Sequence, residues 1–230
     1  MPKRLIYLVV FILVLVAAVE IAVPAVISNI VAQGMVSQTG SDSVSAKVHK
    51  RPALSMLGGS FDQIALSATN ARAGKITFSE FTATLADVQL DMSTLLSKRL
   101  VVMESVGQID VTATIAEAEL ARYINQSVKG MKNAVVTITP DKIQATSALS
   151  FGGFATVGVT IEGKVVVDSQ KIKFVTERFM LNNSPVGSIG GAAITEIPLV
   201  ENNKLPFNVA VRDIVTEKGK IVIHADNRPK

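Results

Sequence analysis

The 230-residue sequence has no cysteine, no tryptophan and only two histidines. Without cysteine there are no disulfides, thiolate metal sites, cysteine nucleophiles or iron–sulfur clusters. The compartment stays open, because many exported bacterial proteins also lack disulfides. His49 and His224 each sit in a strand-like pattern with no HExxH spacing, which removes the common zinc and histidine-based sites. Aromatic residues make up 5% of the chain, too few for an aromatic cage or a base-stacking surface. The net charge of +4 is spread along the chain. Nucleic-acid binders gather Lys and Arg into a stripe, so no nucleic-acid partner is expected. A weak attraction to anionic lipid headgroups is the better use of such a charge.

Catalytic motifs are missing too. Neither Gly59 nor Gly153 is followed by the Gly-Lys-Ser/Thr of a phosphate loop, and no G-x-S-x-G elbow occurs. Gly153 to Gly158 (GFATVG) imitates a dinucleotide spacing but falls between strands rather than at a helix start. Asp87 and Asp91 lie four apart and share a face in a strand reading with no catalytic partner in the pattern, and Glu117 and Glu119 are accounted for by a helix start. The expectation is a non-enzyme with no catalytic residues, no metal and no cofactor.

What the sequence does have is apolar length. The mean hydropathy is +0.40, and 48% of residues are hydrophobic. Lys3 and Arg4 precede an uninterrupted apolar run from Leu5 to Val19. At 1.5 Å per residue this run spans ~22 Å, and extending it past Glu20 to Val23 gives ~28 Å, close to the ~30 Å bilayer core. Glu20 then falls near the outer interface, and Pro24 bends or restarts the helix. The positive charges before the run place the N-terminus inside, with the rest outside the cytoplasm in a single-pass arrangement. The alternative is a cleaved signal peptide and a secreted product. Residues 1–24 are therefore read as an anchor or signal segment and 25–230 as one extracytoplasmic domain. Val26, Ile27, Ile30, Val31 and Met35 keep a helical period, which predicts a second, amphipathic helix to about Ser37.

Alternation then takes over. Val44, Ala46 and Val48 read as a strand; Pro52 to Leu57 as a helical turn ended by Gly58-Gly59; Ile64, Leu66 and Ala68 as a strand closed by a turn over Asn70 to Gly74. A long strand from Lys75 changes phase twice: Ile76 and Phe78 share one parity, Phe81, Ala83 and Leu85 the other, and Val88, Leu90 and Met92 return to the first. Bulges that absorb such slips bend a strand, so a curved sheet is expected. Ser93 to Ser97 reads as a helical turn, Arg99 to Thr114 as a bent strand or a pair, and Thr114-Ile-Ala-Glu117 as a capping box opening a helix to Gly130. Hairpins follow: Val135–Thr139 with Ile143–Ser150, then Val157–Ile161, a turn at Glu162-Gly163, Val165–Val167 and Lys171–Met180. Asn182 to Pro198 reads as a loop or small helix, and the chain closes on strands around Glu217-Lys218-Gly219. The fold class is α+β, with antiparallel strands and few helices.

The stretch Ser55 to Leu96, SMLGGSFDQIALSATNARAGKITFSEFTATLADVQLDMSTLL, resembles the LmeA-like phospholipid-binding family. So do TATIAEAELARYIN (Thr112 to Asn125) and the closing IPLVENNKLPFNVAVRDIVTEKGKIVIHA, and the likeness covers about residues 25–226. The resemblance implies an extracytoplasmic, membrane-associated phospholipid binder of the bacterial cell envelope. It also implies a tubular lipid-binding type of architecture, in which a long curved antiparallel sheet wraps around helices. The expected partner is then a phospholipid or other acyl lipid held in an apolar groove. Phe61, Phe78, Phe81, Phe154, Phe174 and Phe179 are the candidate groove walls, and Lys98, Arg99 and Lys132 the candidate headgroup contacts. The rival readings are an envelope scaffold with a fully packed core, and a hydrolase or transferase for which the residues offer no cluster. The sequence does not give an oligomeric state.

Overall fold

The computed structural model describes residues 3–127, 131–151, 155–168, 171–182, 184–185, 196–201, 207 and 209–229. In chain order the elements are α1 (Lys3–Thr39), β1 (Ser43–His49), a 3-10 turn (Ala53–Gly58), β2 (Ser60–Ala73), β3 (Ile76–Leu90), α2 (Met92–Lys98), β4 (Met103–Ala116), α3 (Glu117–Ser127), β5 (Met131–Ile138), β6 (Ile143–Phe151), β7 (Ala155–Asp168), β8 (Lys171–Leu181), β9 (Ser184–Pro185), β10 (Glu196–Glu201), β11 (Ala210–Glu217) and β12 (Lys220–Asp226). The class is α+β, and the strands form two antiparallel sheets. The first runs β1-β2-β3-β4-β12-β11, and the second runs β10-β8-β7-β6-β5 with β9 paired to β8. The chain divides into two compact units, Met1–Ala68 with Thr82–Ile109, and Thr69–Phe81 with Asp110–Lys230.

In the first unit α1 is one continuous helix of 37 residues, ~55 Å long, with Pro24 inside it. The two helices expected on either side of Pro24 are thus a single helix. Proline removes one intrahelical hydrogen bond, and the flanking apolar turns carry the helix through. Its two halves differ sharply. From Ile6 to Val16 every large side chain is exposed, Val9 at 49% and Tyr7 at 73%, whereas Ile27, Val31 and Met35 are buried. The second half packs beside β1, where the Ser28 hydroxyl accepts from the Val48 N–H at 3.1 Å. Gly34 is a close-approach position, since a Cβ there would stand 2.7 Å from the Arg99 carbonyl oxygen.

The phase changes read from β3 hold. Ile76, Phe78, Phe81, Ala83, Leu85, Val88 and Leu90 are all buried within one unbroken strand. The second slip falls at Asp87, whose φ of +52° marks a bulge. β2 behaves the same way at Asn70, φ +53°. The turn expected over Asn70 to Gly74 is therefore a bulge, and the strand runs on to Ala73 before turning at Gly74-Lys75. Likewise Glu162-Gly163 is a register shift inside one strand, β7, rather than a turn between two. Asx residues tolerate left-handed backbone, so the same residue type marks a turn or a bulge. Most of Asn182–Pro198 lies outside the described residues; within it are β9 and the first residues of β10.

The capping box does not form. α3 starts at Glu117, and the Glu117 carboxylate accepts from the Ile138 N–H at 2.7 Å instead of reaching back along its own chain. Leu120, Tyr123 and Ile124 are its buried stripe, as the period predicts.

Candidate functional site

The second unit is organised around α3. Asn125 Oδ1 accepts from the Ala134 N–H at 2.8 Å, and Glu117 takes the Ile138 N–H, so two outward backbone donors of edge strand β5 are satisfied by helix side chains. Covering an edge in this way protects it from pairing with another chain. Tyr123 donates its hydroxyl to the Pro198 carbonyl on β10. Strands β5 and β10 are the opposite edges of the second sheet. Laid flat, five strands put those edges ~19 Å apart. Tyr123 and Asn125 point to opposite sides of the helix, ~200° apart. One turn of α3 therefore reaches both edges, and the sheet is curled around the helix.

The start of α3 is locked to both sheets. The Glu117 N–H donates to the Gly219 carbonyl at 3.3 Å, and the Gly219 N–H to the Ile138 carbonyl at 2.9 Å. Together with the Glu117 carboxylate on the Ile138 N–H, these bonds join α3, β5 and the β11–β12 turn.

The face that the sheet turns inward is apolar. Cross-strand partners share a face, and the pairs Val136–Ala145, Ala145–Ile161 and Ile161–Phe179 run across four strands. Val159, Ile161, Ile172 and Phe174 on this face are fully buried. Toward one end the burial loosens: Val157, Phe179 and Leu181 are half-buried. The opposite face is polar. Glu162 accepts from Lys142 at 2.6 Å and pairs with Arg178 at 3.3 Å. The Lys142 hydrogen bond holds the Glu162 carboxyl below its ordinary value against the opposing effect of burial.

Gly163 fixes the bend. A Cβ there would collide with the Val175 carbonyl oxygen and stand 2.9 Å from the Phe174 ring. The register shift at this point leaves Glu177 as the extra residue on β8. Phe174 and Phe179, of unlike parity, thereby come to one face.

The candidate residues fall as follows. Phe78 and Phe81 meet with ring centroids 6.4 Å apart, and Phe207, which sequence reasoning missed, lies 6.5 Å from Phe81. Phe61, Phe78 and Phe174 are each 1% exposed and Phe81 is 3%. Phe61, Lys98 and Arg99 belong to the first unit, and Phe78, Phe81, Phe174 and Phe179 to the second. Lys98 and Arg99 are exposed at the end of α2, where Arg99 Nη1 donates to Gln33 Oε1 at 2.9 Å. Lys132 lies in β5 with its side chain outside the described residues, and Phe154 is outside them altogether. Tyr123 and Asn125, which clasp the sheet, carried no signal beyond helix period, because their partners are set by tertiary packing. His224 sits on β12 with Nδ1 3.2 Å from Thr112 Oγ1. Among the described residues no group of three or more His, Asp or Glu is placed to hold a metal.

An apolar sheet face curled about a helix, with its burial easing toward Val157, Phe179 and Leu181, suits an elongated apolar ligand. The model of the LmeA-like phospholipid-binding family matches residues 18–226. The chain belongs to that family. The LmeA-like match takes in the packed half of α1, both sheets and all of α3. No curated protein and no solved structure gives a significant match.

Proposed function

We propose that this protein is a membrane-tethered lipid-binding protein facing outward from the cytoplasm, handling phospholipid in envelope biogenesis without catalysing a reaction. Residues 1–24 serve as the anchor and 25–230 as the binding domain. The observation that carries the reading is the clasp of α3 by both edges of the second sheet, with an apolar inner face that ends in half-buried Val157, Phe179 and Leu181. An acyl chain entering at that end gains ~0.8 kcal/mol per buried CH₂. Phe179 is the best placed wall residue, with buried Phe174 on the same face, and the exposed Lys98 and Arg99 stay as headgroup candidates in their own unit. The tether is supported by α1, the one helix among the described residues long and apolar enough to cross a membrane.

The test is organic extraction of the purified full chain followed by mass spectrometry. The wild type yields co-purifying phospholipid beyond the amount carried by a Leu181→Asp, Phe179→Asp double variant of equal thermal stability. Equal lipid in both would sink the binding face. The complete enclosure of Phe61, Phe78 and Phe174 favours a second reading, a scaffold with a packed core, and that outcome would support it.

A further inference from the structure

The 3-10 turn Ala53–Gly58 has two unlike edges. Side chains three apart eclipse in a 3-10 helix. Ala53 and Met56 form one ridge and are fully buried, while Leu54 and Leu57 form the next and are 57% and 54% exposed. An exposed leucine ridge on a short, rigid turn calls for a partner. The turn is fastened to α1 at one point, because the Ala53 N–H donates to Glu20 Oε1 at 2.9 Å. It is also fastened to the sheet, where the Leu90 N–H donates to the Gly59 carbonyl at 2.8 Å.

Glu20 is the first charged residue after the apolar run that begins beyond Arg4. With Arg4 at the inner boundary, Glu20 stands ~24 Å along the helix axis, inside the outer edge of a ~30 Å hydrocarbon layer. A turn bonded to Glu20 is therefore held at the depth of the outer interface. Lys50 and Arg51 bring positive charge to the chain entering the turn, and with His49, Glu20, Pro24 and Val48 they line a cleft of ≈ 490 Å³. Lys50 is paired with Asp62 at 2.7 Å, and Arg51 is exposed.

We infer that the Leu54–Leu57 ridge is a second membrane-contact element, inserted into the outer leaflet of the bilayer that holds α1, with Arg51 among the headgroups. This rests on the tether of the preceding section. Its consequence is orientational: a single helix leaves a domain free to swivel, and a second contact fixes which side of the first unit faces the lipid.

The chain has no cysteine, so single-cysteine variants label at one site. Full chains carrying Leu57→Cys, Leu54→Cys, Leu13→Cys or Thr137→Cys take an environment-sensitive fluorophore. They are then reconstituted into phosphatidylcholine–phosphatidylglycerol vesicles with and without doxyl-labelled lipid. The expected result is quenching at Leu54 and Leu57 approaching that at Leu13 and severalfold above that at Thr137, an exposed position on β5. Strong quenching at Leu13 with only the Thr137 level at both turn positions overturns the inference and leaves the tether intact. No quenching at Leu13 overturns the tether, and the inference falls with it. Adding Arg51→Glu is expected to lower quenching at Leu57 and leave Leu13 unchanged; an unchanged Leu57 signal removes Arg51 from the contact.

Discussion

Gly59 occupies a conformation that side chains rarely adopt, φ +84°, and a Cβ there would collide with the Leu90 carbonyl oxygen. Gly40 has φ +60° with open space around it. Gly40→Ala is expected to cost about 1–3 kcal/mol through backbone strain alone. Gly59→Ala must cost more, because the collision is with backbone that cannot rotate away. Denaturant titration of the two variants checks the order, and equal losses would contradict the packing assigned to Gly59. Asp226 offers a test through pH. Burial opposes its charge, but hydrogen bonds from Arg212 Nε at 2.6 Å and Arg228 Nε at 2.8 Å outweigh that and lower its pKa. A lowered carboxyl stabilises the fold above its unfolded pKa of about 4 and loses that contribution as pH falls through the folded value. Asp226→Asn is therefore expected to destabilise at pH 7 and to flatten the loss of stability below about pH 4. Melting curves across that range measure it.

At the scale of elements, α1 is two devices in one helix. Ile27→Ala removes a buried side chain from the first unit and is expected to cost about 2–5 kcal/mol. Leu13→Ala, in the exposed half, leaves the fold unchanged. Proteolysis kinetics of the reconstituted protein separate the two, and a destabilising Leu13→Ala would mean that the first half packs on protein. The sequence made the period of each half legible but not their continuity across Pro24, which depends on packing that the periodicity does not encode. Strand phase was more legible. The parity slips in β3 follow from Ile76, Phe78, Phe81 and Val88 alone, because each must face a core whatever the fold. Asn70 and Gly163 suit turns and bulges alike, because the two use the same residue types. Glu117 has the spacing of a cap, but its partner, Ile138, is 21 residues away.

For the molecule as a whole, the proposed binding rests on the curl of the second sheet about α3, and the bonds that make it were invisible in the sequence. Tyr123 reaches a carbonyl 75 residues on, and no local pattern announces it. Tyr123→Phe removes one edge bond while keeping the ring, and is expected to cost about 1 kcal/mol of stability. If the curl shapes the lipid face, the same variant also carries less phospholipid, by the extraction used above. The apolar excess that first suggested a greasy ligand was legible; its placement on one face, graded toward Val157, Phe179 and Leu181, required the register of four strands. The most direct measurement is photocrosslinking of the full chain in vesicles with a phospholipid carrying a diazirine near the end of its acyl chain, mapped by peptide mass spectrometry. The account predicts adducts on peptides spanning 155–181 in addition to those on α1. Adducts confined to α1 and the 3-10 turn, with none on β7 or β8, would contradict it.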